Sequence, residues 1–289
     1  MRRTGSCMAL LALLLGPAAA GTALAQVADP APTAPVTLPL DAGAGSGAGA
    51  GATASPRIES RMTLGLGASV GPSYFGSDDY EVGPWGTVRF DYIRLPGGLS
   101  WGSASAIGVR EGFGLRGSVR YIGSRSARDN TELRGLDRVD ATYEVGLGIG
   151  YETRDWRAFT DVRYGFGGHE AVVGEIGADA IYHPTEQLTL NIGPRLDFGT
   201  GSFMRTYFGV TEEESIASGL PAYTPSGGLT AVGFEVGARY AISDAWGVEG
   251  VATYDRLVQD AADSPITGLG SEDQFGFRLG VTRSISLGF

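Results

Sequence analysis

Lysine is absent from this chain: all 22 basic residues are arginine, set against 32 acidic ones, for a formal charge of −10. That balance excludes a general nucleic-acid binder, which needs a basic face. It fits a surface that meets cations or basic partners. The only cysteine, Cys7, lies in the first apolar run. A chain that loses this run has no disulfide framework and no thiol chemistry. Two histidines, His169 and His183, without a further cysteine cannot build an ordinary zinc site, and no cofactor is expected. Beyond the N-terminal segment no uncharged stretch of 18 or more apolar residues occurs, so no helical membrane span is expected.

What is present begins with an export signal. Arg2 and Arg3 precede an apolar run from Cys7 to Leu15, and Ala23-Leu24-Ala25 is an A-x-A site, so cleavage is expected after Ala25. Losing those two arginines takes the charge from −10 to −12. Residues 26–60 are rich in Ala, Gly, Pro, Ser and Thr with almost nothing to bury, and read as a disordered leader. From Arg61 to Phe289 the texture is uniform and predicts one domain.

That texture is alternation. Met62, Leu64, Leu66, Ala68 and Val70 alternate with small or polar residues, and Val88, Phe90 and Tyr92 with Arg89 and Asp91. Phe113, Leu115, Val119 and Tyr121 alternate with Arg116 and Arg120. Val139 to Tyr151 alternates with Asp140, Thr142, Glu144 and glycines. Further on, the polar phase carries Arg157, Asp161 and Arg163, then Glu175 and Asp179, then Arg195 and Asp197. Near the end it carries Glu235 and Arg239, then Glu249 and Asp255, then Arg278. A period of two places each set on its own face of a sheet. In a soluble sandwich the charged face meets water; in a membrane barrel the apolar face meets lipid and the charged face lines the lumen.

Three features select a transmembrane, antiparallel up-and-down β-barrel. The runs are about 10–14 residues long, as a tilted span requires. Aromatics sit near strand ends as interfacial girdles do: Trp85, Trp101, Tyr121, Tyr151, Trp156, Tyr182, Trp246 and Phe289. The chain closes on Ile285-x-Leu287-x-Phe289, an ending that resembles the assembly signal of outer-membrane proteins. Candidate runs begin near residues 61, 85, 99, 112, 139, 155, 171, 186, 229, 246 and 274. That odd count points to about twelve strands, with ten the next choice, because bacterial single-chain barrels have an even number. Turns at 153–155, 183–185 and 243–245 should face the periplasm, and long links at 124–138, 200–228 and 260–273 the exterior. This puts the N-terminus on the wrong side unless a further strand lies around 72–100. The capping-box spacing of Thr211-Glu212-Glu213-Glu214 predicts a short helix over 211–218 within a long loop.

Chemical motifs are sparse. Gly98-Leu99-Ser100-Trp101-Gly102 has the G-x-S-x-G spacing, but opens a strand with no helix after it. His169-Glu170 is not H-E-x-x-H, because residue 173 is Val. Ser77-Asp78-Asp79 and Asp260 with Asp263 offer oxygens that calcium could use, or simply solvated turns. No enzyme is expected. The inward charges read either as structural Arg–carboxylate pairs or as the lining of a narrow channel.

Several segments resemble the MipA/OmpV family of outer-membrane proteins. They are Gly71-Pro72-Ser73-Tyr74-Phe75-Gly76-Ser77-Asp78-Asp79-Tyr80; Gly167-Gly168-His169-Glu170 with Gly174-Glu175-Ile176-Gly177-Ala178-Asp179; Gly193-Pro194-Arg195-Leu196 with Met204-Arg205-Thr206-Tyr207-Phe208-Gly209-Val210; and Tyr254-Asp255-Arg256-Leu257 with Asp260 to Ile266. The resemblance singles out Tyr74, Gly76, Ser77, Asp78, His169, Glu170, Tyr207, Phe208 and Asp263 as loop residues of interest. It implies a barrel in the outer membrane of a Gram-negative bacterium, in contact with its lipids. It also implies a scaffold between a murein lytic transglycosylase and a murein synthase. The alternative is a porin-like channel for small solutes.

Overall fold

The structure is a computed structural model of the chain and describes residues 59–94, 100–102 and 112–288, with only the backbone at 59, 90–94, 100–102, 287 and 288. The export signal with Cys7, nearly all of the leader, Gly98-Leu99 of the G-x-S-x-G motif, and the side chains of Asp91, Trp101 and Phe289 lie outside the described residues.

The alternating runs are strands. In order they are β1 (Glu59–Pro72), β2 (Tyr80–Arg94), β3 (Ser100–Gly102), β4 (Gly112–Ile122), β5 (Thr142–Glu152), β6 (Trp156–Gly167), β7 (Val172–Tyr182), β8 (Leu188–Gly199), β9 (Gly228–Ala241), β10 (Trp246–Leu257) and β11 (Asp273–Gly288). They form one antiparallel sheet in the order β3-β2-β1-β11-β10-β9-β8-β7-β6-β5-β4. Ten strands are long and β3 has three residues. Among the described residues the long strands number ten, and the run expected near residue 99 is represented by the three residues of β3. With β3 set aside, directions alternate across all ten long strands, so β2 and β4, at the two ends of the row, run in opposite senses. The run expected from Val139 begins at Thr142, and Val139 is buried beyond the strand end.

The outer face is apolar and uncovered. Leu66 and Val82 are 76% and 74% exposed, and most outward Val, Leu, Ile and Phe of β4–β11 are between 36% and 72% exposed. A continuous apolar surface on this scale exceeds the few hundred Å² that a soluble monomer shows, and fits a hydrocarbon surround. Aromatic pairs mark its two rims. Phe113–Tyr151 (4.9 Å between centroids) and Tyr151–Trp156 (5.5 Å) sit at the short-turn end; Tyr121–Tyr143 (5.3 Å) and Tyr254–Phe275 (5.1 Å) at the long-loop end. Along β5 the rims are marked by Tyr143 and Tyr151, a separation of roughly 26 Å at about 3.3 Å per residue. Trp85 does not belong to a rim. It shares the phase of Arg89 and lies on the charged face, packed where a side chain on Gly280 would collide with its ring.

Glycine supplies room on that charged face. A Cβ on Gly165 would fall within the ring of His169. Gly165→Ala is therefore expected to destabilise by about 1–3 kcal/mol through overpacking, read as a lower urea midpoint for unfolding of the refolded protein.

The long loops fold together into a cap at one end of the sheet. Helix α1 (Gly201–Phe208) buries Phe203, Met204, Tyr207 and Phe208, two adjacent pairs one turn apart. They pack with Ala171, Val173, Ala231, Leu257 and Ala261, and with Phe75. A second cluster joins Tyr74, Leu133, Leu136, Val210 and Ile266. The α1 helix is additional to the sequence expectation, whereas α2 (Glu212–Ser218) lies where the capping box places it. Glu214 accepts from the backbone N of Thr211 (2.8 Å) and of Asp137 (2.9 Å), tying α2 to the neighbouring loop. Burial opposes the Glu214 charge, but those backbone donors outweigh it and hold its pKa below the ordinary 4.5. A depressed carboxylate stabilises the fold above the unfolded-state pKa and loses that contribution as pH falls through the folded one. Cap stability should therefore decline below about pH 4.5. Glu214→Gln should flatten that part of the pH profile, as followed by limited proteolysis of 200–227.

Candidate functional site

The charged face surrounds a cavity of about 290 Å³ lined from β2, β4 and β6 to β11. Ion pairs span it in ways a flat sheet forbids. Arg89 Nη1 on β2 reaches Glu249 Oε2 on β10 at 2.6 Å, past β1 and β11. Three strand spacings are about 14 Å in a flat sheet, so this pair requires strong curling. Arg278 on β11 meets Glu235 on β9 at 2.6 Å, and Arg116 on β4 meets Asp161 on β6 at 3.1 Å.

The largest network is continuous. Arg157 pairs with Asp179 (2.5 Å), which also takes Arg195 (2.9 Å). Arg195 bonds Glu235 (2.9 Å) and approaches Glu175 (3.6 Å). Arg163 joins Glu175 (3.2 Å) to Glu144 (2.9 Å). Glu144 and Asp179 are fully enclosed, and Arg163 and Arg195 nearly so. A separate trio has Arg89 and Arg239 on the same oxygen of Glu249, at 2.6 and 3.1 Å. The guanidinium of Arg116 lies 3.9 Å from the Phe159 ring centroid. Arg120, Asp197 and Asp255 have no ion pair among the described residues; Arg120 lies 5.6 Å from the Phe75 ring. Asp140 stands apart from this face, since it precedes β5 and pairs with Arg138 in the open (2.9 Å).

The network runs into the cap through His169. Its Nε2 contacts Glu144 Oε1 at 3.2 Å, and its backbone N donates to Thr142 Oγ1 (3.2 Å), which also contacts Tyr207 Oη (3.2 Å). The His169 ring meets Phe203 and Tyr207 edge-on, at 5.3 and 5.6 Å. The C-terminal carbonyls of α1 are satisfied from outside the helix. Arg125 Nη1 donates to Tyr207 O and Ser264 Oγ to Phe208 O, both at 2.7 Å. Burial and the nearby Glu132 charge push the Tyr74 hydroxyl up to about 12, so it stays neutral. Gln274 takes Gly76 N (3.1 Å) and donates to Ser77 O (3.1 Å), fixing the 73–79 loop.

The resemblance-derived residues thus separate into two groups. Tyr74, Gly76, Ser77, His169, Tyr207 and Phe208 are buried inside the cap, whereas Asp78, Glu170 and Asp263 are exposed on it. Phe203, Arg125 and Gln274 were missed by sequence reasoning. The spacing 203, 204, 207, 208 carried a helical signal for the first. Nothing local marks the other two, which act across 82 and 198 positions. Among the described residues no group of three or more His, Cys, Asp or Glu could hold a metal ion. Asp260 Oδ2 instead accepts from Ser226 N (2.6 Å).

The chain is 24% identical to the MltA-interacting protein of Escherichia coli (strain K12) over 216 residues, covering 72% of this chain and 84% of that one. The figures are the same for the MltA-interacting protein of Shigella flexneri. Among solved structures it is similar to the NanC porin, at 10% identity and a TM-score of 0.33, over 78% of this chain and 98% of that one. The family model described as "MltA-interacting protein MipA" matches residues 64–285, and the chain accordingly belongs to that family, as an outer-membrane protein of Gram-negative bacteria.

Proposed function

We propose that this chain is a closed, ten-stranded outer-membrane β-barrel that works as a non-catalytic interaction scaffold for murein-modifying enzymes. Closure is supported by the opposite senses of β2 and β4 and by their approach, with Cα atoms within 8 Å. An even count and the removal of free sheet edges favour the same arrangement. In this reading residues 1–25 direct export and are removed, and 26–60 form a leader into β1 at the short-turn end. That end faces the periplasm, where murein enzymes work, and the cap faces outward. The scaffold reading is carried by the filled interior: cross-strand ion pairs and the α1 aromatics occupy the space that a wide pore would need. The murein partner itself rests on the family resemblance, together with the relatives' name, MltA-interacting protein.

A porin-like channel is the second reading. It is favoured by one observation: a cavity of about 280 Å³ beneath the cap shares Arg120, Arg163, Asp197, Thr253, Asp255 and Arg278 with the one described above, so the two adjoin. Two measurements separate these readings. The scaffold predicts co-purification of a lytic transglycosylase with the tagged protein and no steady conductance in a planar bilayer. A stable open conductance without such a partner would reverse the choice.

A further inference from the structure

Among the described residues, the short-turn half of the interior carries more guanidinium than its carboxylates neutralise. Arg89 and Arg239 share a single oxygen of Glu249. Arg157 bonds Asp179 through Nε, but that carboxylate is also taken by Arg195. Arg116 bonds Asp161 through Nε alone. The Nη groups of Arg116, Arg157 and Arg239 have no acceptor among the described residues, and these three line, together with Arg89, the same cavity of about 290 Å³. Trp85 completes that wall from β2, backed by Gly65 and Gly280. Two cations on one carboxylate oxygen repel each other, and a second oxyanion relieves them. Guanidinium forks bind carboxylate and phosphate oxygens with paired, charge-assisted hydrogen bonds. An indole face alongside adds affinity for a flat ring.

We propose that this cavity is a binding site for a small organic oxyanion, a carboxylate or phosphate attached to a ring, held by Arg239, Arg89, Arg116 and Arg157 and stacked on Trp85. The site goes beyond the scaffold reading and does not rest on it, since binding in detergent reports on the cavity whether or not a murein enzyme docks or the barrel conducts.

The test is calorimetric titration of the refolded chain with phenyl phosphate, benzoate, inorganic phosphate and neutral benzyl alcohol. Phenyl phosphate and benzoate should saturate, and benzyl alcohol should not. Phenyl phosphate should bind roughly five- to tenfold more tightly than inorganic phosphate. Binding should weaken with salt. Arg239→Gln should weaken phenyl phosphate by about tenfold or more. Trp85→Leu should bring phenyl phosphate and inorganic phosphate to parity. Glu249→Gln removes the competing carboxylate and should tighten both, an outcome that a merely structural role for the trio does not produce. The proposal is overturned if neither aromatic anion saturates. It is also overturned if Arg239→Gln binds like the parent in protein whose circular-dichroism spectrum matches the parent's. Arg239 is the most exposed of the trio, at 38%, so its variant decides the matter if Glu249→Gln does not fold.

Discussion

Glu144→Ala is expected to cost about 3–5 kcal/mol of unfolding free energy, among the largest losses for a single substitution in this chain. Glu144 is fully enclosed, and it holds Arg163 Nε at 2.9 Å with one oxygen and His169 Nε2 at 3.2 Å with the other. Its removal leaves a guanidinium that is only 4% exposed short of one of its two carboxylates, and a histidine already lacking a partner at Nδ1 short of its other contact. The penalty comes from stranding these groups; the intact pair adds little beyond its own desolvation cost. Replacing Glu144 and Arg163 together by leucine should therefore cost less than the single change to alanine. Urea unfolding of the refolded protein in lipid vesicles checks both values. A single-variant loss below about 1 kcal/mol would mean that water reaches Arg163 freely.

Phe208→Ala carries a comparable expected loss, about 3–5 kcal/mol, by a different mechanism. Phe208 has no exposed surface and closes the α1 cluster against Phe75 and Phe203, with ring centroids 5.9 and 6.4 Å away. The resulting cavity sits in the cap and leaves the strand ladder untouched. The sheet should stay assembled while residues 200–227 become sensitive to protease. If the cap is what seals the interior, this variant should also conduct in a planar bilayer where the parent does not. Protease resistance equal to the parent would show that the cap does not depend on the α1 aromatics. Because Glu144 and Phe208 are linked through His169, which touches both Glu144 and the Phe203 ring, their effects should be less than additive.

How far such features can be read from sequence depends on the range of the interaction. Side chains alternate along any extended chain, so the phase of each run separates its outward apolar residues from its charged ones without knowledge of the neighbours. Trp85 was legible by that rule, since 85 and 89 share a phase; placing it at a rim followed its residue type and ignored its position. Helix α2 was legible because a capping box is a contact between residues three apart. Helix α1 was missed because its apolar pairs lie inside a chain of loops and its stabilisation comes from Phe75 and His169, far away in sequence.

The amino-acid order by itself determined the two faces of each strand, the apolar exterior and the kinship to an outer-membrane family. Only the tertiary structure decided that ten long strands make the sheet and that the loops condense into a cap. It also decided which arginine meets which carboxylate, and that Arg89 and Arg239 fall on one oxygen. The physical reason is that facing in or out is a property of a residue and its immediate neighbours. Pairing across a curled sheet depends on register and curvature, which the ten strands set jointly.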